Sequence, residues 1–126
     1  MKSMNGWNVK AVLGLAAIGF AGASLTAAAG TLTAAGLSKT EVVRARTTDI
    51  FHVQFRGGEV AAVAISGDGD TDLDLYVFDR NGNQICRSTR SGDDEGCRWT
   101  PAWTGTFRIE VKNLGNIANR YRIAMN

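Results

Sequence analysis

Residues 67–79 read GDGDTDLDLYVFD, and this stretch decides the fold. Four aspartates stand at alternate positions and run into an alternation of apolar and polar residues. Because alternate side chains of an extended chain share a face, Leu73, Leu75 and Val77 can enter a core while the aspartates lie on the other side or in the preceding loop. The stretch therefore predicts a half-buried β-strand that follows an acidic loop.

The same period of two recurs along most of the chain. The segments that show it are Ile50–Phe55, Glu59–Ile65, Gln84–Ser88, Cys97–Thr100, Thr106–Lys112 and Arg120–Met125. Asn81-Gly82 precedes the return strand from 84 and predicts a type I′ hairpin turn, which needs positive φ at both central residues. About seven to eight short strands without a helical segment predict an all-β fold, a jelly-roll-like antiparallel β-sandwich.

The first 29 residues are typical of a secretory signal peptide. Lys2 and Lys10 flank the polar start, and no charged residue occurs from 11 to 38. The triplets that end at Ala23 and Ala29 both satisfy the small-x-small cleavage rule. We therefore expect cleavage near residue 23 or 29, a linker over 30–40 and a folded domain over 41–126. The alternative is a retained membrane anchor, since the uncharged run is long enough to span a bilayer.

The charge balance argues against a nucleic-acid partner. The chain carries 14 Lys and Arg against 12 Asp and Glu, and two of the basic residues lie in the predicted leader. The remaining domain is formally neutral, whereas a nucleic-acid-binding surface needs an excess of basic residues. Export would place this domain in the periplasm or outside the cell.

The two cysteines predict a disulfide. An even pair in an oxidising compartment is typical of a structural bridge, so we expect Cys86 and Cys97 to join the two arms of a hairpin around 91–96. Closing a loop of about twelve residues contributes about 3 kcal/mol. Ile85 and Cys86 cannot both face inward in a regular strand, which leaves a bulge or an outward-facing bridge as alternatives.

The acidic loop is the candidate metal site. Closely spaced carboxylates suit calcium, which takes six to eight oxygen ligands, so calcium is the candidate cofactor. The candidate ligands are Asp68, Asp70, Asp72 and Asp74. The glycine and the distal glutamate of an EF-hand loop are missing. The alternative is that Asp72 and Asp74 cap turns and accept backbone N–H bonds.

Aromatic residues supply a candidate binding surface for a polysaccharide or a protein fibre. Four of them are considered for such a platform: Tyr76, Trp99, Trp103 and Tyr121. Trp99 is in phase with Cys97 and is expected in the core. Trp103 follows Pro101 in a predicted loop and is the candidate exposed ligand contact, because exposed aromatics mark interfaces when they cluster.

Nothing in the sequence predicts catalysis. His52 is the single histidine, and it stands on the outward phase of its strand without a nucleophile signature beside it. Carboxylates along a solvated loop also lack the burial that tunes one of them as an acid. We therefore expect no enzyme activity and no catalytic residue.

Two motifs resemble the bacterial pre-peptidase C-terminal domain. They are Asp-Leu-Asp-Leu-Tyr-Val at 72–77 and Thr-Gly-Thr-Phe-Arg-Ile-Glu-Val at 104–111, with Asn-Gly and a charged turn between them. The resemblance covers roughly Glu41 to Asn126. It implies a small secreted β-sandwich, often found after the catalytic domain of exported peptidases and related to clostridial collagen-binding domains. Some relatives in that group use calcium near an N-terminal linker, which adds Glu41 and Asp49 as candidates.

Three functions are compatible with these features. The first is a secreted non-catalytic module that binds an extracellular polysaccharide or fibrous protein, with the loops around Asp68–Asp74 and Trp103 as one contact region. The second is an accessory or chaperone-like domain for a separately encoded exported hydrolase. The third is a small protease inhibitor that presents the loop Arg87–Gly96. The membrane is a partner only through an uncleaved leader.

Overall fold

The structure, a computed structural model, describes residues 32–126 and two short strands in the predicted leader. These strands, β1 (Gly6–Trp7) and β2 (Val12–Leu13), pair in antiparallel fashion. The predicted cleavage sites and the anchor alternative lie outside the described residues. No segment of the described chain forms a helix that could serve as a membrane span.

Nine further strands follow from the alternating apolar residues. They are β3 (Leu32–Thr33), β4 (Leu37–Val43), β5 (Thr48–Phe55), β6 (Ala61–Ser66), β7 (Leu73–Phe78), β8 (Gln84–Ser88), β9 (Asp94–Trp99), β10 (Gly105–Asn113) and β11 (Asn119–Met125). Sheet I has the strand order β3-β5-β10-β7-β8, and sheet II has the order β4-β11-β6-β9. All neighbours are antiparallel except β3 and β5. This architecture confirms the predicted all-β sandwich.

The core lies between the inner faces of the two sheets. In sheet I, Ile109 of β10 stands in register with Phe51 of β5 and Val77 of β7, and each is at most 1% exposed. Sheet II contributes Tyr121 and Ile123 of β11, which are equally buried. The strands β7, β10 and β11 therefore bury the faces that the sequence period assigns to them.

The prediction of a linker over 30–40 is wrong from residue 32 onwards. Leu32 and Ala34 are buried in the core, and β4 begins at Leu37. Leu32 pairs in parallel with Val53, and the Leu37 amide donates a hydrogen bond to the Ala34 carbonyl across a tight turn. The segment 30–40 passes for a linker because it is rich in Gly, Ala, Ser and Thr and shows no clear two-residue period. In the described chain the sandwich begins at Leu32.

The turn between β7 and β8 also differs from the predicted type I′ hairpin. The Gly82 amide donates to the Asp79 carbonyl (3.0 Å), and the Asp79 amide donates to the Asn83 carbonyl (2.9 Å). Within this turn only Gly82 has positive φ (84°), so a longer loop with one left-handed glycine replaces the two-residue turn.

A bulge in β8 confirms one of the two alternatives for its cysteine. Val77 pairs with Cys86, and the adjacent Phe78 pairs with Gln84, so Ile85 is the extra residue. Ile85 is 40% exposed, whereas Cys86 packs against the core. The bulge thus lets the cysteine face inward while its apolar neighbour faces solvent.

The antiparallel strands give the sandwich two ends. The groove end carries the turns 56–60, 79–83 and 100–104, and the aspartate end carries the turns 44–47, 67–72, 89–93 and 114–118. Strand β10 runs from one end to the other, and its nine residues span about 27 Å at the usual rise per residue.

Candidate functional site

The acidic loop and Trp103 lie at opposite ends of the sandwich. Trp103 precedes the first residue of β10, whereas Leu73, which follows the acidic loop, pairs with Asn113 at the last residue of β10. The prediction that both form one contact region is therefore wrong. Each end has to be considered as a separate candidate site.

Trp103 lies in a loop that is fixed by its neighbours. The Gly58 amide donates to the Pro101 carbonyl (2.8 Å), and the Gly57 amide donates to the Thr104 hydroxyl (3.0 Å). The two loops touch so closely that a Cβ on Gly57 would stand 2.4 Å from the Trp103 Cα. Yet the Trp103 side chain is 70% exposed, as the sequence predicts for a residue of this loop.

A groove of about 550 Å³ opens beside this tryptophan. This volume lies in the range of small-molecule and glycan subsites. Trp99 forms part of its wall and packs on Phe55 (ring centroids 4.8 Å apart) and Phe107 (5.4 Å). Six of the residues that line the groove are Asp79, Arg80, Asn81, Ile85, Trp99 and Trp103. The groove thus combines an exposed aromatic face with a polar rim.

The polar rim consists of the turn between β7 and β8. The Asp79 carboxylate accepts bonds from the amides of Asn81 and Asn83 (both 2.9 Å) and from the Asn83 side chain (3.0 Å). These bonds, with the Asn83 side chain as the largest cause, lower the pKa of Asp79. Arg80 is exposed, and no carboxylate in residues 32–126 forms an ion pair with it.

The disulfide between Cys86 and Cys97 is present, with Cα atoms 6.0 Å apart. It does not join two arms of one hairpin, because β8 pairs with β7 in sheet I and β9 pairs with β6 in sheet II. Each of these strands is the edge of its sheet, so the bond joins the two sheets along one side of the sandwich. The adjacent Ile85 and the nearby Trp99 line the groove.

At the aspartate end, Asp68 has a structural role. Its carboxylate accepts bonds from the amides of Arg120 (3.0 Å) and Asp70 (3.1 Å). The bond from the Arg120 amide is the main reason why the pKa of Asp68 is lowered. Both oxygens are therefore already engaged in holding the acidic loop to the start of β11.

Asp72 and Asp74 differ from Asp68. No backbone amide donates to either carboxylate in the described chain, so the expectation that they cap turns in this way is wrong. Asp74 is buried, and one oxygen of each carboxylate is buried without a hydrogen-bond partner. Burial, followed by the charge of Asp72, raises the pKa of Asp74, although the Tyr76 hydroxyl donates to it at 3.4 Å.

A buried polar pair that the sequence pattern does not reveal organises this end. Asp93 accepts bonds from the Gly69 amide (2.6 Å) and from the Asn119 side chain (3.0 Å). Asn119 is fully buried and also donates to the Thr71 hydroxyl (3.1 Å). A Cβ on Gly67 would stand 2.2 Å from the Asp93 carboxylate, so a larger residue there would displace this buried pair. In the sequence Asp93 belongs to the charged run Asp93-Asp94-Glu95, which is typical of a solvated turn, and this position hides its role.

The calcium site stays a prediction. Within residues 32–126, no group of three or more His, Cys, Asp or Glu side chains is arranged to hold a metal ion. Of the further candidates, Glu41 forms an ion pair with Lys39 (3.0 Å), and Asp49 accepts a bond from the Tyr121 hydroxyl (2.7 Å). Among the described residues, the buried carboxylate oxygens without a hydrogen-bond partner belong to Asp72, Asp74 and Glu95, and the remaining predicted ligand, Asp70, is exposed.

The four aromatic residues considered for a platform do not form one. Tyr121 is a core residue, and its burial, with the nearby Asp49 carboxylate, raises its pKa well above the usual value. Tyr76 stacks on Phe78 at 6.3 Å on sheet I, away from the tryptophans. Trp99 is half-buried against the core, as predicted, which leaves Trp103 as the exposed member.

The remaining candidates are His52, considered for catalysis, and the loop Arg87–Gly96, considered for protease inhibition. His52 lies on the outer face of β5 opposite Arg108, where partial desolvation by its neighbours, followed by the charge of Arg108, lowers its pKa. In the loop Arg87–Gly96, the buried Glu95 carboxylate accepts bonds from the Ser88 hydroxyl and, at 3.3 Å, from the Arg90 amide. This loop is therefore tied down at its base where it crosses from sheet I to sheet II.

Comparison with solved structures places this architecture among known folds. The pre-peptidase C-terminal domain of collagenase from Bacillus anthracis superposes with a TM-score of 0.57 at 10% identity, over 82% of this chain and 100% of that domain. The fold is that of a pre-peptidase C-terminal domain. This finding agrees with the resemblance carried by the two sequence motifs.

Two further structures are more distant from this pre-peptidase C-terminal fold. PliG, a periplasmic inhibitor of g-type lysozyme from Aeromonas hydrophila, has a TM-score of 0.47 and 12% identity over 76% of this chain and 96% of that chain. A de novo designed double-stranded β-helix has a TM-score of 0.43 and 17% identity over 71% of this chain and 99% of that chain. No family model matches the sequence, and no curated protein matches it either.

Proposed function

We propose that this protein is an exported, non-catalytic module that binds an extracellular polymer or fibrous protein through the groove beside Trp103. The observation that carries the proposal is a tryptophan side chain, 70% exposed, on a loop whose backbone is hydrogen-bonded in place. Exposing such a side chain has no structural benefit to the sandwich, and a fixed aromatic residue loses little entropy when it meets a ligand.

The export part of the proposal rests on two features. Both predicted cleavage sites precede Leu32, so cleavage at either one would leave the described sandwich whole. The disulfide between the sheets is a type of bond that persists in oxidising compartments. A periplasmic or extracellular location is therefore part of the proposed function.

The absence of catalysis is supported by the surroundings of the candidate groups. His52 stands opposite Arg108 on the outer face of β5, and within residues 32–126 no serine or carboxylate is hydrogen-bonded to it, as a nucleophile–histidine–acid arrangement requires. The carboxylate in the groove, that of Asp79, already accepts three hydrogen bonds, and its lowered pKa makes it a poor proton donor near neutral pH.

The test is a pull-down of the oxidised, processed protein on a panel of insoluble polysaccharides and fibrous proteins. Trp103→Ala should abolish retention without changing the urea midpoint, because the side chain is mostly outside the core. Ile117→Ala is the matched control, since this residue is 53% exposed but belongs to a turn at the aspartate end. Equal retention of wild type and Trp103→Ala, or retention by no polymer of the panel, would contradict the proposal.

A further inference from the structure

The distribution of charge restricts what the groove can bind. Seven of the acidic residues gather in the segments 67–74 and 93–95 at the aspartate end: Asp68, Asp70, Asp72, Asp74, Asp93, Asp94 and Glu95. At the groove end, Glu59 is paired with Arg56 (3.6 Å), and the Asp79 carboxylate is engaged by its own turn. Asp79 stays ionised, because its pKa is lowered, and it balances one cation of this end. Arg98, one residue before the end of β9, adds a further exposed cation, so Arg56, Arg80 and Arg98 outnumber Glu59 and Asp79, and this excess favours an anionic occupant.

Arg80 is the cation that can meet this occupant inside the groove. It lines the groove, is exposed and has no ion-pair partner among the described residues. A guanidinium group presents a planar fork of donors that matches a carboxylate in bidentate geometry. Trp103, on the same groove, supplies an exposed flat apolar face.

The walls of the groove argue against an extended peptide. Peptides bound in extended form usually pair with free backbone groups of a strand edge. Here the Asn81 amide already donates to Asp79, and neither edge strand offers a run of free backbone groups in the groove, because β8 is interrupted by its bulge at Ile85 and β9 reaches the groove only with its last residue, Trp99. Recognition has to come from side chains, which suits the faces and substituents of sugar rings better than a polypeptide backbone.

We propose that the groove binds a polysaccharide that carries carboxylate groups, with a sugar ring stacked on Trp103 and a uronate carboxylate bound by Arg80. This inference rests on the proposed function and adds the chemical class of the ligand. The side-chain amide of Asn81, on the same turn, is placed to bond with ring hydroxyls. Binding of this kind weakens as salt rises, because one partner of the pair is exposed.

The experiment measures the affinity of the oxidised protein for polygalacturonate and for a neutral galactan by isothermal titration calorimetry. We expect polygalacturonate to bind at least tenfold more tightly, and Arg80→Gln to lose about tenfold or more of this affinity, as charge-assisted hydrogen bonds predict. Arg98→Gln is the control, because it removes the same charge from an exposed residue that does not line the groove. This variant should change the affinity by less than about twofold.

Three outcomes would overturn the inference. If Arg98→Gln weakens binding as much as Arg80→Gln, the attraction is diffuse and no carboxylate is bound at Arg80. If polyglutamate binds as tightly as polygalacturonate, the ligand class is wrong. If the neutral galactan binds equally well and only Trp103→Ala abolishes binding, the carboxylate inference fails while the proposed function stands.

Discussion

Gly57→Ala is the substitution that tests how the groove end is built. Gly57 has an ordinary negative φ, so its requirement for glycine comes from the packing of the two loops and not from backbone conformation. The new Cβ would stand 2.4 Å from the Trp103 Cα, 2.5 Å from its carbonyl carbon and 2.6 Å from the Thr104 nitrogen. All three contacts are with backbone atoms, which cannot rotate away as a side chain can.

The expected loss of stability follows from the distance by which the loop has to move to relieve these contacts. Carbon atoms pack at about 3.5–4.0 Å, so the loop 100–104 has to move by about 1 Å. This displacement breaks the bonds from the amides of Gly57 and Gly58 (3.0 and 2.8 Å), each of which contributes about 1 kcal/mol. We expect a loss of about 2–3 kcal/mol in the free energy of unfolding, which lowers Tm by about 10 °C or more in a domain of this size.

The assay combines urea unfolding with retention on the polymer that the wild type binds. Gly58→Ala is the control, because a Cβ there meets no atom within 4 Å and the cost of its φ of +78° is about 1 kcal/mol. This control should keep Trp103 in place and retain binding, whereas Gly57→Ala should lose both stability and binding. A urea midpoint for Gly57→Ala no lower than that of Gly58→Ala, with binding intact, would refute the account of a fixed loop.

Three further predictions concern the disulfide and the aspartate end. The double variant Cys86→Ala/Cys97→Ala should lose about 3 kcal/mol of the free energy of unfolding in urea, because the bond closes a loop with a sequence separation of 11. Hydrogen exchange should also become faster in β8 and β9, and unchanged protection of these strands would contradict the bridge between the sheets. The pKa of Asp74 is raised in the folded state, so folding disfavours its ionised form, and the stability that the neutral form provides is lost as pH rises through that pKa. Asp74→Asn should therefore stabilise the protein more at pH 7 than below the ordinary pKa of Asp, about 3.9. An equal shift of the urea midpoint at both pH values would refute this reasoning. A calcium ion bound in the acidic loop would stabilise the folded state by mass action. EDTA should therefore lower the Tm of the wild type but not that of Asp72→Asn. An unchanged Tm of the wild type would argue against calcium.

The strands could be predicted because one face of each is buried. In β10, Phe107, Ile109 and Val111 are buried while the charged residues between them are only partly covered, so the two-residue period survives in the sequence. Leu32 of β3 and the adjacent Ala34 also belong to the core, but β3 has two residues and shows no period. A strand that short is specified by its pairing with β5, and this pairing cannot be seen in the local sequence.

The candidate site was harder to predict because it depends on how the strands are arranged. The exposure of Trp103 follows from its position after Pro101 in a loop, and the sequence is sufficient for that prediction. Its distance from the acidic loop depends on the direction of β10, and the pairing of β8 and β9 with different strands depends on the order within each sheet. Neither direction nor order is encoded in the composition or periodicity of a single segment.

The position of the disulfide links the shape of the binding surface to the surroundings of the protein. In a reducing cytoplasm the wall formed by β8 would lose its covalent tie to the wall formed by β9, and the two strands share no backbone ladder that could replace it. Newly made chains would then carry a loosened recognition surface until oxidation outside the cytoplasm closes that side. Under the proposed function, the groove would therefore reach its final shape only in the compartment where this bond can form.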